Sequence, residues 1–249
     1  MAIGKMIKHK QMLKHPVLRR YIPETHWLTR ERLLQMLKTY SSVFIKPNHG
    51  SGGSGIMRIK RVPKGYEIRY GRRRRVVRSN SYLHKVVQSS QNPSQRYLVQ
   101  QGLRLAKYNG RIFDIRSYMQ KPHSKWVISG IVARLAAPNH YLTNYHKGGQ
   151  GKPLDKVLAY LFKNNRRKVD DRLNLIKKLS HMIAKTLNKR HSHIRELGID
   201  FVIEKNGRLW ILEANTRPGY QLFSHLPDQT MFRKIRKNKR LIRKRITRA

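Results

Sequence analysis

Asp200, Glu213 and Asn215 are the side chains in this sequence best suited to hold a hard metal ion, and they stand out among only 12 acids. Ile199–Glu204 and Arg208–Glu213 alternate like strands around Lys205-Asn206-Gly207, and Asn-Gly is the strongest short signal for a tight hairpin. Period-two alternation then sends Glu213 and Asn215 to the same side of their strand, with Asp200 on the strand beside them. Oxygen donors without thiolates suit Mg²⁺, which takes one or two carboxylates and completes its shell with water and phosphate oxygens. The other reading of the same hairpin is a pair of acids neutralised by the abundant arginines.

A second chemical signal is Gly50-Ser51-Gly52-Gly53-Ser54-Gly55, which follows Lys46 at the end of the apolar stretch Val43-Phe44-Ile45. Gly50, Gly52 and Gly55 satisfy G-x-G-x-x-G, but a dinucleotide site needs a helix after the loop, and Ile56–Val62 alternates as a strand instead. Ile56 and Met57 occupy the places where a Walker loop has Lys and Ser or Thr. A glycine flap between two strands can still lay backbone N–H groups over phosphates, with the Lys46 ammonium beside them. No H-R-D or D-F-G accompanies it, which excludes a protein kinase. A flexible turn is the alternative. Elsewhere, Asp114 in Gly110–Arg116 could be a plain ion pair, and His191-x-His193 lacks a third ligand at a recognisable spacing. The absence of cysteine excludes disulfides, thiolate zinc sites and a cysteine nucleophile.

Charge points to the partner. The 249 residues carry 56 Lys and Arg against 12 acids, a formal charge of +44. Residues 233–249 hold ten of those cations and no acid, so most of the excess belongs to the body of the chain. Such a density repels itself, which a bound polyanion would offset, whether nucleic acid, an acidic polypeptide or another. The terminal run reads as a solvated tail or an amphipathic helix. No stretch approaches the roughly 18 apolar residues of a membrane span, and the first five residues lack the apolar centre of a secretory signal. The expectation is a soluble, intracellular protein.

The elements that must position these groups alternate without internal repeat. A basic helical start leads through Pro16 and Pro23 to a helix N-capped by Thr29 and ending at Tyr40, with Leu33, Leu34 and Leu37 on one face. Strands follow at 43–46 and 56–62, then a hairpin through Tyr66–Tyr70 and Val76-Val77 with a basic turn. A short helix is expected at Tyr82–Ser89, and strands near Tyr97–Gln101, Ile112–Met119 and Trp126–Leu135. Asp170–Lys189 is a helix with Leu173, Ile176, Leu179, Ile183 and Leu187 as its buried stripe. The fold class is α+β with largely antiparallel sheets.

Taken in order, several motifs resemble those of the ATP-grasp ligases: Lys46-Pro47, the glycine flap, Val99-Gln100-Gln101-Gly102-Leu103, Arg111-x-x-Asp114-x-Arg116, Asn144-Tyr145-His146-Lys147-Gly148-Gly149, Gly198-Ile199-Asp200 and Glu213-Ala214-Asn215-x-x-Pro218-Gly219. His15-Pro16, Tyr21-Ile22-Pro23-Glu24-Thr25 and Phe113–Arg116 are most similar to the endospore coat-associated group of that superfamily. The resemblance covers about residues 1–226. It implies an ATP-grasp fold of two α+β lobes gripping ATP, without the usual N-terminal pre-grasp domain. The ATP-grasp domain would occupy 1–232, with a nucleotide-covering lobe at about 42–103 and a catalytic and metal lobe at about 104–226, followed by a basic tail at 233–249.

The same resemblance implies residue roles. Lys5 and Lys46 would contact the ATP phosphates, with Gly50, Ser51, Gly52, Gly53, Ser54 and Gly55 as their cover. Gln100, Gln101, Gly102 and Leu103 would form the hinge that meets adenine through its backbone, with Gln101 standing where the superfamily commonly has an acid. Arg116, Arg134 and Asn144 would surround the transferred phosphate, and Asp200, Glu213 and Asn215 would hold Mg²⁺. The implied activity is ATP- and Mg²⁺-dependent carboxylate–amine ligation through an acyl phosphate, and combined with the charge it points to an acidic polypeptide as substrate. A rival from another class is an inactive ATP-grasp scaffold that binds nucleic acid or acidic spore-coat proteins. Either way the expected place is the cytoplasm, with spore-coat association.

Overall fold

Thr29 and Ser79 each end an extended segment and turn it into a helix. The computed structural model describes residues 3–50, 52–71, 73–137 and 149–246. It begins with helix α1 (Lys5–Leu13) and strand β1 (Thr25–Trp27), after which the Thr29 hydroxyl accepts from the Arg32 N–H and starts α2 (Arg30–Thr39). Strands β2 (Ser42–Pro47), β3 (Met57–Val62), β4 (Gly65–Tyr70) and β5 (Arg73–Val77) follow. Ser79 then caps α3 (Asn80–Ser89) by accepting from the Tyr82 N–H, and β6 (Tyr97–Gln101) follows it.

Two compact units result. The first comprises Gly4–Ile7 with Pro23–Arg104, and the second Met1–Ile3 and Lys8–Ile22 with Leu105–Ala249. The first unit therefore takes in Pro23–Ser41 and the opening of α1 in addition to the 42–103 stretch expected from the sequence. Its sheet runs β1-β6-β2-β3-β4-β5, with every neighbouring pair antiparallel. Alternation buries Val43, Ile45, Met57, Ile59, Ile68 and Val99 against Leu33, Met36 and Leu37 of α2 and Leu83 and Val87 of α3. Phe44, Lys46, Leu98 and Gln100 consequently occupy the other face of the sheet.

The second unit continues through β7 (Lys107–Tyr108), β8 (Arg111–Gln120), β9 (Val127–Leu135), β10 (Gln150–Pro153), α4 (Leu154–Leu161), α5 (Arg166–Arg190), β11 (Glu196–Ile203), β12 (Leu209–Asn215) and α6 (Thr230–Ile246). Its sheet is ordered β10-β9-β8-β11-β12, with β7 paired to β8. One face packs Phe113, Ile115, Met119, Ala133, Leu197, Ile199 and Phe201 against the α5 stripe of Ile176, Leu179, Ile183, Ala184 and Leu187. The β11–β12 turn is the expected hairpin: Gly207, at φ +85°, donates its N–H to the Glu204 carbonyl at 2.8 Å.

The opposite face is divided. Part of it is covered by Leu222, Phe223, Leu226 and Ile235, which pack on Tyr118 and Val132. Of the two readings of the basic run at 233–249, the amphipathic helix is the one seen: through Ile246 that segment belongs to α6. Ile235, Asn238 and Ile242 recur at three- and four-residue spacing and are buried, while Asn238 donates to the Ser129 hydroxyl at 3.0 Å and Lys239 pairs with Glu196 at 2.8 Å. Burial of the apolar stripe outweighs the mutual repulsion of the cations. The rest of that face carries the acids and arginines.

Candidate functional site

Each unit carries one set of the residues singled out by chemistry. In the second unit, strand register assembles them. Asp200 lies opposite Arg116 on one side and Glu213 on the other, Asp114 opposite Arg134, and Gly198 opposite Asn215. Alternation puts Asp114, Arg116, Arg134, Asp200, Glu213 and Asn215 on one face, across four adjacent strands. Immediately after the Asp200–Glu213 pair the register slips, with Phe201 meeting Ile211, so a bulge sits at the carboxylates and bends the strand there.

Arg116 grips Asp200 with both prongs, Nε to Oδ1 at 2.5 Å and Nη2 to Oδ2 at 3.0 Å. Arg134 forks onto Asp114 at 2.6 and 2.7 Å and extends Nη2 to Asp200 Oδ1 at 3.0 Å. Asp200 is 5% exposed. Burial disfavours its charge, but the two guanidiniums outweigh that and hold its carboxyl below the usual aspartate range. Burial likewise opposes the Arg134 cation, and Asp114 and Asp200 raise its pKa in spite of it. Forked charge-assisted bonds of this kind fix geometry as well as charge.

Asn215 Nδ2 donates to Glu213 Oε1 at 2.8 Å and lies 3.4 Å from Asp200 Oδ2, so the three proposed metal ligands converge. Two carboxylates and an amide oxygen are hard donors that suit Mg²⁺, but here the Asn215 amide turns Nδ2 to both acids and would have to flip to present Oδ1 to a cation. Among the described residues no group of three or more His, Cys, Asp and Glu is disposed for a metal, so a cation here depends on Asn215 as the third donor. Glu213 and Asn215 are only partly buried, whereas both Asp200 oxygens are already engaged by arginine.

The loop after β12 is held in part by Tyr118 and Glu196, which sequence reasoning passed over. A Cβ on Gly198 would come 2.6 Å from Pro218 Cβ and 2.9 Å from Arg116 Nη1, so glycine is what lets that proline and the guanidinium close over β11. The Tyr118 hydroxyl lies 3.1 Å from Glu196 Oε1 and 3.3 Å from the Pro218 carbonyl, while Gln120 and Lys239 also donate to Glu196. Burial first, and the Glu196 charge after it, push the Tyr118 phenol up and keep it a donor. The Gly198-Ile199-Asp200 and Pro218-Gly219 motifs hinted at this support.

In the first unit, Lys46 donates to Gln100 Oε1 at 2.5 Å, and Gln100 Nε2 donates to the Thr25 hydroxyl at 3.0 Å. Gln100 thus orients Lys46 through its side chain. The backbone of the expected adenine segment is largely committed: the Gln101 N–H donates to Glu24 O and the Gly102 N–H to Ser42 O, each at 2.9 Å.

The glycine segment is conformationally specific. Gly50, Gly52, Gly53 and Gly55 have φ of 118°, 64°, 72° and 73°, a region costly for other residues. Lys5 donates its ammonium to Gly50 O at 2.8 Å, and Asn48 accepts the Met6 N–H at 3.0 Å, tying the start of α1 to the start of the flap. Ser51, Asn144 and the rest of Tyr145–Gly148 lie outside the described residues.

A family model described as YheC/D like ATP-grasp matches residues 2–241. The chain is 30% identical over 231 residues to the endospore coat-associated protein YheD of Bacillus subtilis (strain 168), covering 87% of this chain and 48% of that protein. It is 25% identical over 210 residues to the endospore coat-associated protein YheC of the same organism, covering 83% and 57%. It therefore spans about half the length of these curated relatives. Among solved structures, D-cycloserine synthetase DcsG matches with a TM-score of 0.57 at 11% identity, over 96% of this chain and 70% of that one. The D-alanyl-alanine synthetase A of Vibrio cholerae matches with a TM-score of 0.55 at 15% identity, over 96% and 64%. At these identities the likeness establishes the ATP-grasp fold.

Proposed function

Because the chain belongs to the YheC/D-like ATP-grasp family, we propose that it is an ATP- and Mg²⁺-dependent carboxylate–amine ligase whose carboxylate is presented by an acidic polypeptide. The convergence of Asp200, Glu213 and Asn215 beside Arg116 and Arg134 on one sheet face carries the reading. ATP and Mg²⁺ would supply the phosphoryl group and the charge neutralisation that convert a carboxylate to an acyl phosphate open to attack by an amine.

The chain's own residues then have distinct tasks. Glu213 and Asn215 would hold the cation, with Asp200 beside them as a third ligand. Arg116 and Arg134 keep Asp200 ionised and fixed and offer positive charge to the transferred phosphate, a role that Asn144 would share. Lys46, aimed by Gln100, and the backbone N–H groups of Gly50–Gly55 receive phosphate oxygens, while Lys5 secures the flap and adds charge. Gln101–Leu103 offers its remaining backbone groups to adenine. No protein nucleophile is required, since positioning and charge neutralisation dominate phosphoryl transfer.

The names of YheD and YheC support spore-coat association as the place of action. No helix among the described residues is long and apolar enough to cross a membrane.

One observation favours a second reading. Both Asp200 oxygens are closed by guanidiniums, and a chain in which that closure persists would be a polyanion-binding scaffold without turnover. The deciding measurement is ADP formation from Mg²⁺-ATP with oligo-L-glutamate and an amino acid as amine. Turnover that falls about a hundredfold or more in Glu213→Ala supports the ligase. Turnover unchanged in that variant, or none in the parent protein, overturns it.

A further inference from the structure

The cations of α6 are ordered rather than merely numerous. Arg233, Arg236, Lys237, Arg240, Arg243 and Lys244 recur at three- and four-residue steps, and all are exposed, while Ile235, Asn238 and Ile242 on the opposite side are buried. They form one row about 16 Å long at 1.5 Å per residue, with neighbours about 5–6 Å apart. There is no acid anywhere in Thr230–Ile246. Lys234, off the row, donates to the Ile128 carbonyl at 2.9 Å, and Lys239 is tied to Glu196, so the helix is pinned on both flanks of its buried stripe.

The row also has a direction. Met231 Sδ lies 3.3 Å from the Ile131 N–H, which places the first turn of α6 against the middle of β9. Arg134 is three residues further along that strand, about 10 Å at 3.3 Å per residue. Farther along the helix, Lys234 meets Ile128 and Asn238 meets Ser129, in the direction away from Arg134. The cations therefore begin near the acid–arginine cluster and lead outward from it.

We propose that this face of α6 is the docking track for an extended acidic polypeptide, the same class of chain whose carboxylate the ligase would activate; the assignment of that class rests on the ligase reading. Side chains on one face of an extended polypeptide repeat at about 6.5–7 Å, close to the spacing of the row. A chain lying along it would send its continuing carboxylates toward Arg134, Arg116 and Glu213. A nucleic-acid duplex is a poorer match. The back of α6 is buried along its length, so the helix cannot enter a major groove to read bases and could touch only the phosphate backbone.

The test measures binding of labelled oligo-L-glutamate in the absence of nucleotide at physiological salt. The triple variant Arg233→Glu, Lys237→Glu, Arg240→Glu is compared with Arg73→Glu, Arg78→Glu, Lys85→Glu, an equal charge change on exposed positions of the first unit. The α6 variant should weaken binding about tenfold or more and the control less than about twofold. Glutamine at the same three α6 positions should give an intermediate loss with thermal unfolding unchanged, which separates docking from misfolding. Equal losses in the two charge-reversal variants would reduce the row to undirected charge. Tighter binding of a DNA duplex at matched charge, lost in the same α6 variant, would make nucleic acid the occupant and overturn the assignment. If ADP formation survives in Glu213→Ala while the α6 variant still loses oligo-L-glutamate binding, the ligase reading falls on its own and the docking face stands.

Discussion

The Asp200 carboxylate meets Arg116 in a two-pronged pair, 2.5 Å at Oδ1 and 3.0 Å at Oδ2, inside the sheet that also carries Glu213. Arg134 bridges Asp200 to Asp114, so two aspartates and two arginines neutralise each other and Glu213 is left to set the net sign of the cluster. A cation held at Glu213 and Asn215 would meet a carboxylate neighbour that is already ionised and immobile. Preorganisation of this kind removes reorganisation from the reacting step.

Arg116→Ala leaves Asp200 as a buried carboxylate with only Arg134 to compensate it. Loss of one partner from a buried pair costs about 3–5 kcal/mol, so denaturant unfolding should show a destabilisation of that size. Arg116→Lys keeps the charge and loses the fork, and should recover only part of it. A loss below about 1 kcal/mol in Arg116→Ala would mean that water or Arg134 replaces the pair fully.

Acid should release the same device. The folded pKa of Asp200 lies below its unfolded value of about 3.9, so its contribution to stability is complete above that value and disappears as pH falls through the folded pKa. Asp200→Asn should therefore be less stable than the parent at neutral pH, and the gap should narrow steadily below about pH 4. Urea unfolding at a series of pH values measures this. A gap that stays constant into acid would assign the variant's defect to packing instead of charge.

What the sequence made legible follows from how locally each feature is encoded. Thr29 announced its helix because an N-cap works within three residues, and Asn206-Gly207 announced its hairpin because positive φ at Gly207 is a local demand. Apolar periodicity likewise exposed the α5 stripe. The destination of the cations was not legible. Ten basic residues in 233–249 masked Ile235 and Ile242, whose burial depends on Tyr118 and Val132 more than a hundred residues away. The Arg116–Asp200 pair was hidden for the same reason, since register across β8 and β11 is a long-range property. Gln100 was noticed for its backbone, yet its side chain holds Lys46, a contact between residues 54 apart.

Gly198→Ala tests whether the loop at Pro218 matters to the chemistry. The added methyl would press on Pro218 Cβ and Arg116 Nη1, and relief requires one of them to move. Overpacking of this kind costs about 1–3 kcal/mol. The variant should unfold earlier in denaturant and lose more of its Mg²⁺-ATP-dependent thermal shift than its lower stability accounts for. If the ligand-induced shift in Tm is intact, the tight approach at Gly198 serves folding alone.

Lys46 and Gln100 offer a test of positioning that needs no turnover. The Gln100 amide links the Lys46 ammonium to Thr25, and Thr25 in turn donates to Pro23 O at 2.9 Å, so the lysine is aimed by a chain of bonds anchored in β1 and β6. Gln100→Ala should weaken nucleotide binding about three- to tenfold by freeing Lys46, and Lys46→Ala should weaken it more. Because the glutamine acts through the lysine, the double variant should be little worse than Lys46→Ala, giving a coupling energy of about 1 kcal/mol or more in the cycle. Titration with Mg²⁺-ATP at high salt, alongside tripolyphosphate to account for simple attraction to a +44 protein, supplies the four affinities. Additive losses would mean that Gln100 serves the nucleotide, or the fold, independently of Lys46.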